Sequence, residues 1–402
     1  MSMGTKTVGL ITMHRVLNFG SALQTYATVK MVQSLGFGCT VIDYLYPTLW
    51  HTENACGCES LPQESTCKKI CKWILKKSYL LNCARSIKRF IMLRKVDEVF
   101  RNFLHEVPLT SVSYNRQSIL KKVPVFDIYM TGSDQTWNPR YLHTDYSFLL
   151  NFVPDDAPKI SYAASFGASE TGSFYQEDYA KYLKRFDRIS VRESSGTELV
   201  KKLASKDAVH VLDPTLLLNE KEWSVLNKNK LNLPEKFIFC YILSYVFDSG
   251  NEIEKLLEHL HKITGLPIVV YSDSSSSFEK YKQVTKMMGP EGFIECFAKA
   301  SFVVTTSFHG TAFAVNFHKD FFAVLNPNPS KDDRVKSFLQ SVRLDSRGLL
   351  LPQTDIQKIN QEDLRTDFCE SSICLQKMRE HSLAYLKEAL EFASKKCEDN
   401  KK

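Results

Sequence analysis

A histidine lying between an apolar run and a helix-like segment is the residue best placed for chemistry. In FVVTTSFHGTAFA (Phe302 to Ala314), His309 follows the apolar run and precedes a segment opening with Gly310 and Thr311. Backbone N–H groups at a helix start have no intrahelical acceptor and favour an anion, which marks Ser307 and Gly310 as a candidate anion cradle. A histidine there can donate a proton near neutral pH while the helix end holds a phosphate. The alternative is a buried histidine whose hydrogen bonds are satisfied locally. His14 and Arg15 follow the first apolar run in the same way, where an anion site and an ordinary surface position are both open.

Other polar turns repeat this placement. NFGS (Asn18 to Ser21) follows the first strand-like run, and TGSDQTWN (Thr131 to Asn138) brings Ser133, Asp134 and Gln135 to the end of another. SFG (Ser165 to Gly167) and VRE, with Arg192 and Glu193, close two more. Ligands of open parallel α/β sheets bind at the carboxyl ends of the strands, so five such turns suggest one site. Gly20 and Gly132 read as tight turns that need positive φ. Neither turn matches a Walker A loop or GxGxxG, which gives no support to nucleoside triphosphates or NAD.

The elements that position these turns alternate. Val8 to Met13 reads as a strand, Ser21 to Leu35 as a helix with apolar residues at helical spacing, and Cys39 to Asp43 as the next strand. Ser21 is the predicted N-cap and Gly36 the stop. Residues 48–123 break the pattern and read as an insertion in a first domain spanning 1–219. Strands resume at Val125 to Met130, Lys159 to Ala163, Arg188 to Val191 and Val209 to Leu212. The alternation restarts after Asn219 and defines a second domain over 220–350. A tail over 351–402 is helical from about Ser371 to Lys396. Strands alternating with helices predict parallel sheets covered on both faces. The insertion and the restart favour two open Rossmann-like sheets over one closed barrel.

Composition sets bounds on these readings. The 402 residues are 44% hydrophobic and 24% charged, the balance of a soluble globular chain. The start has no basic stretch followed by an apolar run, so the sequence predicts a cytoplasmic protein. The net charge is +7, and ten basic residues with no acidic one lie between Ser65 and Val96; 7 − 10 leaves −3 for the remainder. The positive charge is local and gives no nucleic-acid signature. Cations and aromatic residues interleaved from Lys68 to Lys95 suit either a helix lying on an anionic membrane face or one packed on its own domain. The cysteines from Cys56 to Cys83 match no paired CxxC of a zinc ribbon, so the segment reads as a thiol-bearing insertion and not a metal site. Cys39, Cys240 and Cys296 sit in apolar runs as small hydrophobes.

Taken in order, HRVLNFGSALQTYA (His14 to Ala27), TGSDQTWN, SYAASFG, DRISVRE (Asp187 to Glu193), VLDPTLLL (Val211 to Leu218) and FVVTTSFHGTAFA resemble the polysaccharide pyruvyl transferase family. The resemblance runs from about Val8 to Leu325. It implies a GT-B-like fold and transfer of the enolpyruvyl unit of phosphoenolpyruvate onto two hydroxyls of a sugar, free or lipid-linked, in capsular or exopolysaccharide synthesis. The donor is a substrate, and no further cofactor is implied. His309 matches the catalytic histidine, and Arg192, with Arg188 beside it, the donor-binding arginine. Asn18, Ser133, Asp134, Gln135 and Glu193 become candidates to contact the acceptor or orient the cations. One position departs from the pattern: Ser307 stands where characterised members often carry arginine. Either Arg15 or another cation takes that role, or the donor or acceptor differs. Two other readings remain: a GT-B glycosyltransferase using a nucleotide sugar, and a non-catalytic sugar- or anion-binding protein.

Overall fold

The computed structural model describes residues 5–45, 91, 94–167, 172–228, 230–243, 250–272, 278–328 and 334–400. The predicted alternation folds into two parallel sheets. In the first, β1 (Thr7–Ile11) is flanked by β2 (Gly38–Val41) and β3 (Ile128–Thr131), with β4 (Lys159–Ser161) beyond β3. Parallel bridges Ile160–Arg188 and Ala164–Val191 continue it onto the pair β5 (Ser190–Val191) and β6 (Val209–His210). The second sheet has six strands: β7 (Ile238–Ile242), β8 (Ile268–Ser272), β9 (Lys282–Gln283), β10 (Phe302–Thr305), β11 (Asp320–Val324) and β12 (Gly348–Leu349). Its order is β12-β11-β10-β7-β8-β9. Two open sheets, not a closed barrel, make the fold the GT-B-like pair of Rossmann-like domains.

Helix α1 (Phe19–Ser34) differs from its predicted form in two ways. Its N-cap is Asn18, whose side chain accepts from the N–H groups of Gly20 and Ser21. Asn18 has extended backbone, as a cap requires, while Ser21 is already helical and spends its hydroxyl elsewhere. The helix is also buried around its circumference, including Gln24, Thr25 and Thr28. A one-sided surface helix would leave these in water. Here α1 lies between the two domains, and its polar side chains turn to internal partners, as when the Gln24 amide N–H donates to the Thr12 hydroxyl at 2.8 Å, while Gln24 Oε1 has no partner among the described residues. Gly36, with φ of +87°, ends the helix as predicted.

Aromatic packing joins the domains through α1. Phe19 stacks on Phe293 of α4 (Gly289–Lys299) at 5.1 Å and meets Tyr271 of β8 at 5.2 Å. In chain order between α1 and α4 come α2 (Ser194–Ala204), over the first sheet, and α3 (Gly250–Thr264), over the second. Of the basic segment, Lys68 to Phe90, Met92 and Leu93 lie outside the described residues, as do Cys56 to Cys83. Its described end begins a helix over 94–104 that buries Val96, Phe100 and Phe103 in the shared core, Phe100 stacking on Phe19 at 5.5 Å. Cys39, Cys240 and Cys296 are buried as predicted, and burial pushes the Cys39 thiol up to about 12.

Helix α5 (Phe308–Asn316) starts two residues before the predicted Gly310, so His309 sits in its first turn. The tail becomes one long helix, α6 (Cys369–Asp399), that crosses back to the first domain. There the Tyr385 hydroxyl donates to the Ser161 carbonyl, the Leu212 N–H donates to Ser382, and Lys396 pairs with Asp187 at 2.6 Å. No described helix is long and apolar enough to cross a membrane.

Candidate active site

The carboxyl ends of β1, β3, β5, β6 and β10 converge where the domains meet, and Asp213 lies at the centre. It follows β6 in the sequence Val-Leu-Asp-Pro-Thr and caps the 3₁₀ turn Pro214–Leu216. Proline at the first position of that turn has no N–H to satisfy, and Asp213 Oδ1 accepts from the Thr215 N–H at 3.0 Å and its hydroxyl at 2.7 Å. One carboxylate oxygen is thus used locally, and Oδ2 is left for tertiary partners. Arg192 Nη1 donates to it at 2.8 Å, the Ser133 hydroxyl lies 3.1 Å away, and His309 Nε2 stands 3.6 Å off. The Arg192 and Asp213 side chains are essentially out of solvent, at 1% and 0% exposure. Burial alone would raise the Asp213 carboxyl, but the charge of His309 and the charge and hydrogen bond of Arg192 hold it well below the usual carboxylate range. Asp213 is therefore an anion at neutral pH.

Around this centre, Arg192 is gripped on several sides. Its Nε faces Glu193 at 3.4 Å, Nη1 approaches Asp134 at 3.8 Å, and the guanidinium lies over the Phe308 ring at 4.6 Å. Nη2 has no hydrogen-bond partner among the described residues. Glu193 in turn accepts from the Ser165 hydroxyl. Asp134 accepts from Ser21 at 2.5 Å and from the Gln135 N–H at 2.9 Å. Burial opposes its ionisation, and Arg192, His309 and Ser21 outweigh that and lower its pKa. Gln135 holds Asn138 through its side-chain oxygen at 2.6 Å.

His309 crosses from the second domain onto the first. A Cβ on Gly20 would stand 2.0 Å from His309 Nδ1, so only glycine lets the ring seat against α1. The sequence reading of Gly20 as a positive-φ turn is therefore corrected: the constraint is the neighbouring ring. Gly132 does have positive φ, +110°. His309 Nε2 is buried and has no hydrogen-bond partner among the described residues. The Gly310 N–H is not an open anion donor, because Ser307 is the N-cap and its hydroxyl accepts from that N–H at 3.4 Å. Gly310 is small for packing: a Cβ there would lie 2.2 Å from the Thr305 hydroxyl oxygen.

Two predicted cations are placed elsewhere. Arg15 pairs with Asp43, Nη2 to Oδ2 at 2.6 Å, alongside His14 at 3.0 Å and the Ser113 hydroxyl at 2.5 Å. Burial would raise the Asp43 carboxyl, yet these three partners depress it strongly. Arg188 precedes β5, at the end opposite Arg192. It is exposed, and its guanidinium stacks on Phe392 of α6 at 3.7 Å. Asn18 serves the α1 cap. The structure thus gathers His309, Arg192, Ser133, Asp134 and Glu193 and sets Arg15 and Arg188 apart. It adds Asp213, which was not singled out from the sequence, and gives Ser21 and Ser165, known from the sequence only as parts of polar turns, carboxylate partners in Asp134 and Glu193. An Asp-Pro-Thr cap directly after a strand was the available signal for Asp213.

The fold and the site define a two-domain α/β protein with its candidate active centre in the seam, where a histidine of one domain meets an acid and an arginine of the other. The sequence model of the polysaccharide pyruvyl transferase family matches residues 18–328, and the chain belongs to that family of transferases. Solved structures of similar fold include the UDP-GlcNAc 2-epimerase of Methanocaldococcus jannaschii in complex with UDP-GlcNAc and UDP, at 10% identity, TM-score 0.48 and 93% of each chain covered. The UDP-GlcNAc 2-epimerase from Neisseria meningitidis bound to UDP-GlcNAc has 10% identity and TM-score 0.46, covering 94% of this chain and 100% of its own. A glycosyltransferase from Rickettsia africae has 13% identity and TM-score 0.40, covering 96% and 99%. No curated protein matches the sequence.

Proposed function

We propose that the protein transfers the enolpyruvyl unit of phosphoenolpyruvate to two hydroxyls of a sugar, forming a cyclic ketal. The observation that carries this reading is the meeting of His309 and Arg192 at the buried Asp213 carboxylate. It joins a proton donor and an anion-binding cation in one water-poor seam, which is what this donor requires. In the reaction His309 gives a proton to the donor's methylene carbon, and the enol phosphate becomes an electrophile at C2. Asp213 fixes the ring that carries the proton. The first sugar hydroxyl attacks C2, and its proton restores the histidine. The second hydroxyl attacks the same carbon, phosphate leaves with the second proton, and the ring closes. Arg192 holds an anionic group of the donor through Nη2, the end of the guanidinium that Asp213 and Glu193 do not occupy. Asp134 and Glu193 orient Arg192 or meet the acceptor. The acceptor is a free or lipid-linked glycan of capsular or exopolysaccharide synthesis.

Incubation with phosphoenolpyruvate and a panel of galactose- and mannose-type acceptors tests this. Mass spectrometry should find the pyruvyl increment with release of one phosphate. His309→Ala should lower the rate by roughly 10²- to 10⁴-fold while folding normally. A folded His309→Ala protein of undiminished rate would move the acid elsewhere. Turnover of a nucleotide sugar with no response to phosphoenolpyruvate would replace the reading altogether.

A further inference from the structure

Helix α5 meets the segment that carries Asp213 at both of its ends. His309, in its first turn, faces the Asp213 carboxylate at 3.6 Å. Asn316, its last residue, is buried and gives its amide N–H groups to the carbonyls of Thr215 at 3.1 Å and Leu218 at 2.8 Å. The two residues stand at i and i+7, so they share one face of the helix, about 10 Å from each other along its axis. That face runs along residues 213–218 of the first domain.

The chemistry of the partners fixes how the Asn316 amide is turned. Arg379 of α6 donates from Nη2 to Asn316 Oδ1 at 2.7 Å and from Nε to the Leu216 carbonyl at 2.6 Å. A guanidinium only donates and a carbonyl only accepts. The amide oxygen must therefore face Arg379, and the nitrogen must face Thr215 and Leu218. One helical turn beyond Arg379, Ser382 accepts from the Leu212 N–H at 2.9 Å. The acid is thus bracketed on the chain. Helix α6 grips the backbone at Leu212 and Leu216, and α5 grips it at Thr215 and Leu218.

We propose that Asn316 and Arg379 are positioning residues that set the distance between His309 and Asp213. A helix of fixed rise passes an axial shift at one end on to the other. Where the Asn316 amide is pinned along 215–218 therefore decides where His309 stands against Asp213. Arg379 acts one step further away, by keeping the amide turned so that it makes both bonds. The geometric claim rests on these contacts alone; its effect on rate rests on the reaction proposed above.

NMR of the histidine ring signals, in the full chain labelled at histidine, tests the geometry without substrate. The His309 signal is the one missing from His309→Ala. Those of His14, held on Asp43, and His259, held on the Ile359 carbonyl, serve as references. Asn316→Ala and Arg379→Gln should each move the His309 signal and leave both references in place. Arg379 is only half-buried, so its variant gives the answer if Asn316→Ala melts early. In turnover each variant should lower kcat by about 10- to 100-fold, the result of a shift near 1 Å, with the donor KM nearly kept. In the His309→Ala background the same change should cost almost no rate, because the group it positions is gone. A His309 signal unmoved in both variants overturns the proposal. Equal movement of the references, which means general loosening, overturns it too, as does a moved His309 signal with undiminished kcat. A His309 signal moved alone, in a protein whose wild type does not turn over phosphoenolpyruvate, upholds the positioning and removes the proposed donor.

Discussion

Replacing Gly20 by alanine is a demanding probe of the seam, because two effects of known size oppose each other there. In an ordinary helix the change is favourable by up to about 1 kcal/mol, since alanine loses less backbone freedom than glycine. Gly20 has no positive φ to forbid it. Against this, the new methyl would sit 2.0 Å from His309 Nδ1, whereas ordinary contact begins at 3.4 Å. The deficit is 3.4 − 2.0 = 1.4 Å, and the ring's Cγ and Cε1 are nearly as close, at 2.3 and 2.6 Å. The ring cannot yield that distance and keep its 3.6 Å separation from Asp213 unless the domains part. Overpacking of this kind costs about 1–3 kcal/mol, so the clash should win. A catalytic group displaced by about 1 Å commonly loses about 10²-fold in rate, and Gly20→Ala should lose at least that.

A double-mutant cycle read by denaturant unfolding isolates the cause without relying on activity. In the His309→Ala background the methyl enters the space the ring vacates. Gly20→Ala should there be neutral or stabilising by up to about 1 kcal/mol. A coupling near zero, with the same cost in both backgrounds, would refute contact between Gly20 and His309 as the constraint.

Asp213→Asn should destabilise the fold by about 3–5 kcal/mol at neutral pH, because Arg192 is left buried without its closest anion. The Asp213 carboxyl is depressed in the folded state, so its stabilisation is present above the unfolded value of about 3.9 and is lost as pH falls below it. The gap between wild type and Asp213→Asn should therefore narrow below pH 4 in chemical denaturation, and a gap independent of pH would count against an ionised Asp213. Arg192→Lys keeps the charge but not the fork that reaches Asp213 and Glu193, so donor affinity should fall about tenfold by titration; unchanged affinity would remove Arg192 from the donor site. If the cations from Lys68 to Lys95 dock the protein on a membrane, sedimentation with anionic vesicles should fade at high salt and with several lysines changed to glutamine. No binding even at low salt would leave packing on the first domain as their role.

The sequence carried the layout well because strands and helices of an α/β chain announce themselves by local apolar spacing. The strands end at Thr131, Val191 and Thr305, close enough to the predicted ends that Asp134, Arg192 and His309 could be assigned to one edge. What local spacing could not show is which neighbour each residue meets. Arg15 and Arg188 look as suitable as Arg192 in the chain, yet one is spent on Asp43 and the other stacks on a helix about 200 residues later. Ser21 resembles a helix cap, and only the fold shows that Asn18 does the capping while Ser21 reaches Asp134, 113 positions away. Asp213 escaped notice because Asp-Pro-Thr has a sufficient local explanation as a turn cap. Its second oxygen acquires a role only when β5 and α5 arrive beside it.

These substitutions in reading share one physical origin, the position of α1 between the domains. A helix packed on one face needs only an apolar stripe, but α1 must satisfy neighbours all round. At its first turn three consecutive residues therefore answer three different demands. Phe19 fills the aromatic seam with Phe293 and Tyr271, Gly20 leaves room for His309, and Ser21 holds Asp134. The same turn thus fixes the spacing of the domains and the seating of the residues that work between them. Any movement that opens the seam must withdraw His309 from Asp213 at the same time, because β10 and α5 carry the histidine with the second domain while the acid stays with the first. Closure and assembly of the His309–Asp213 pair are one event in this architecture.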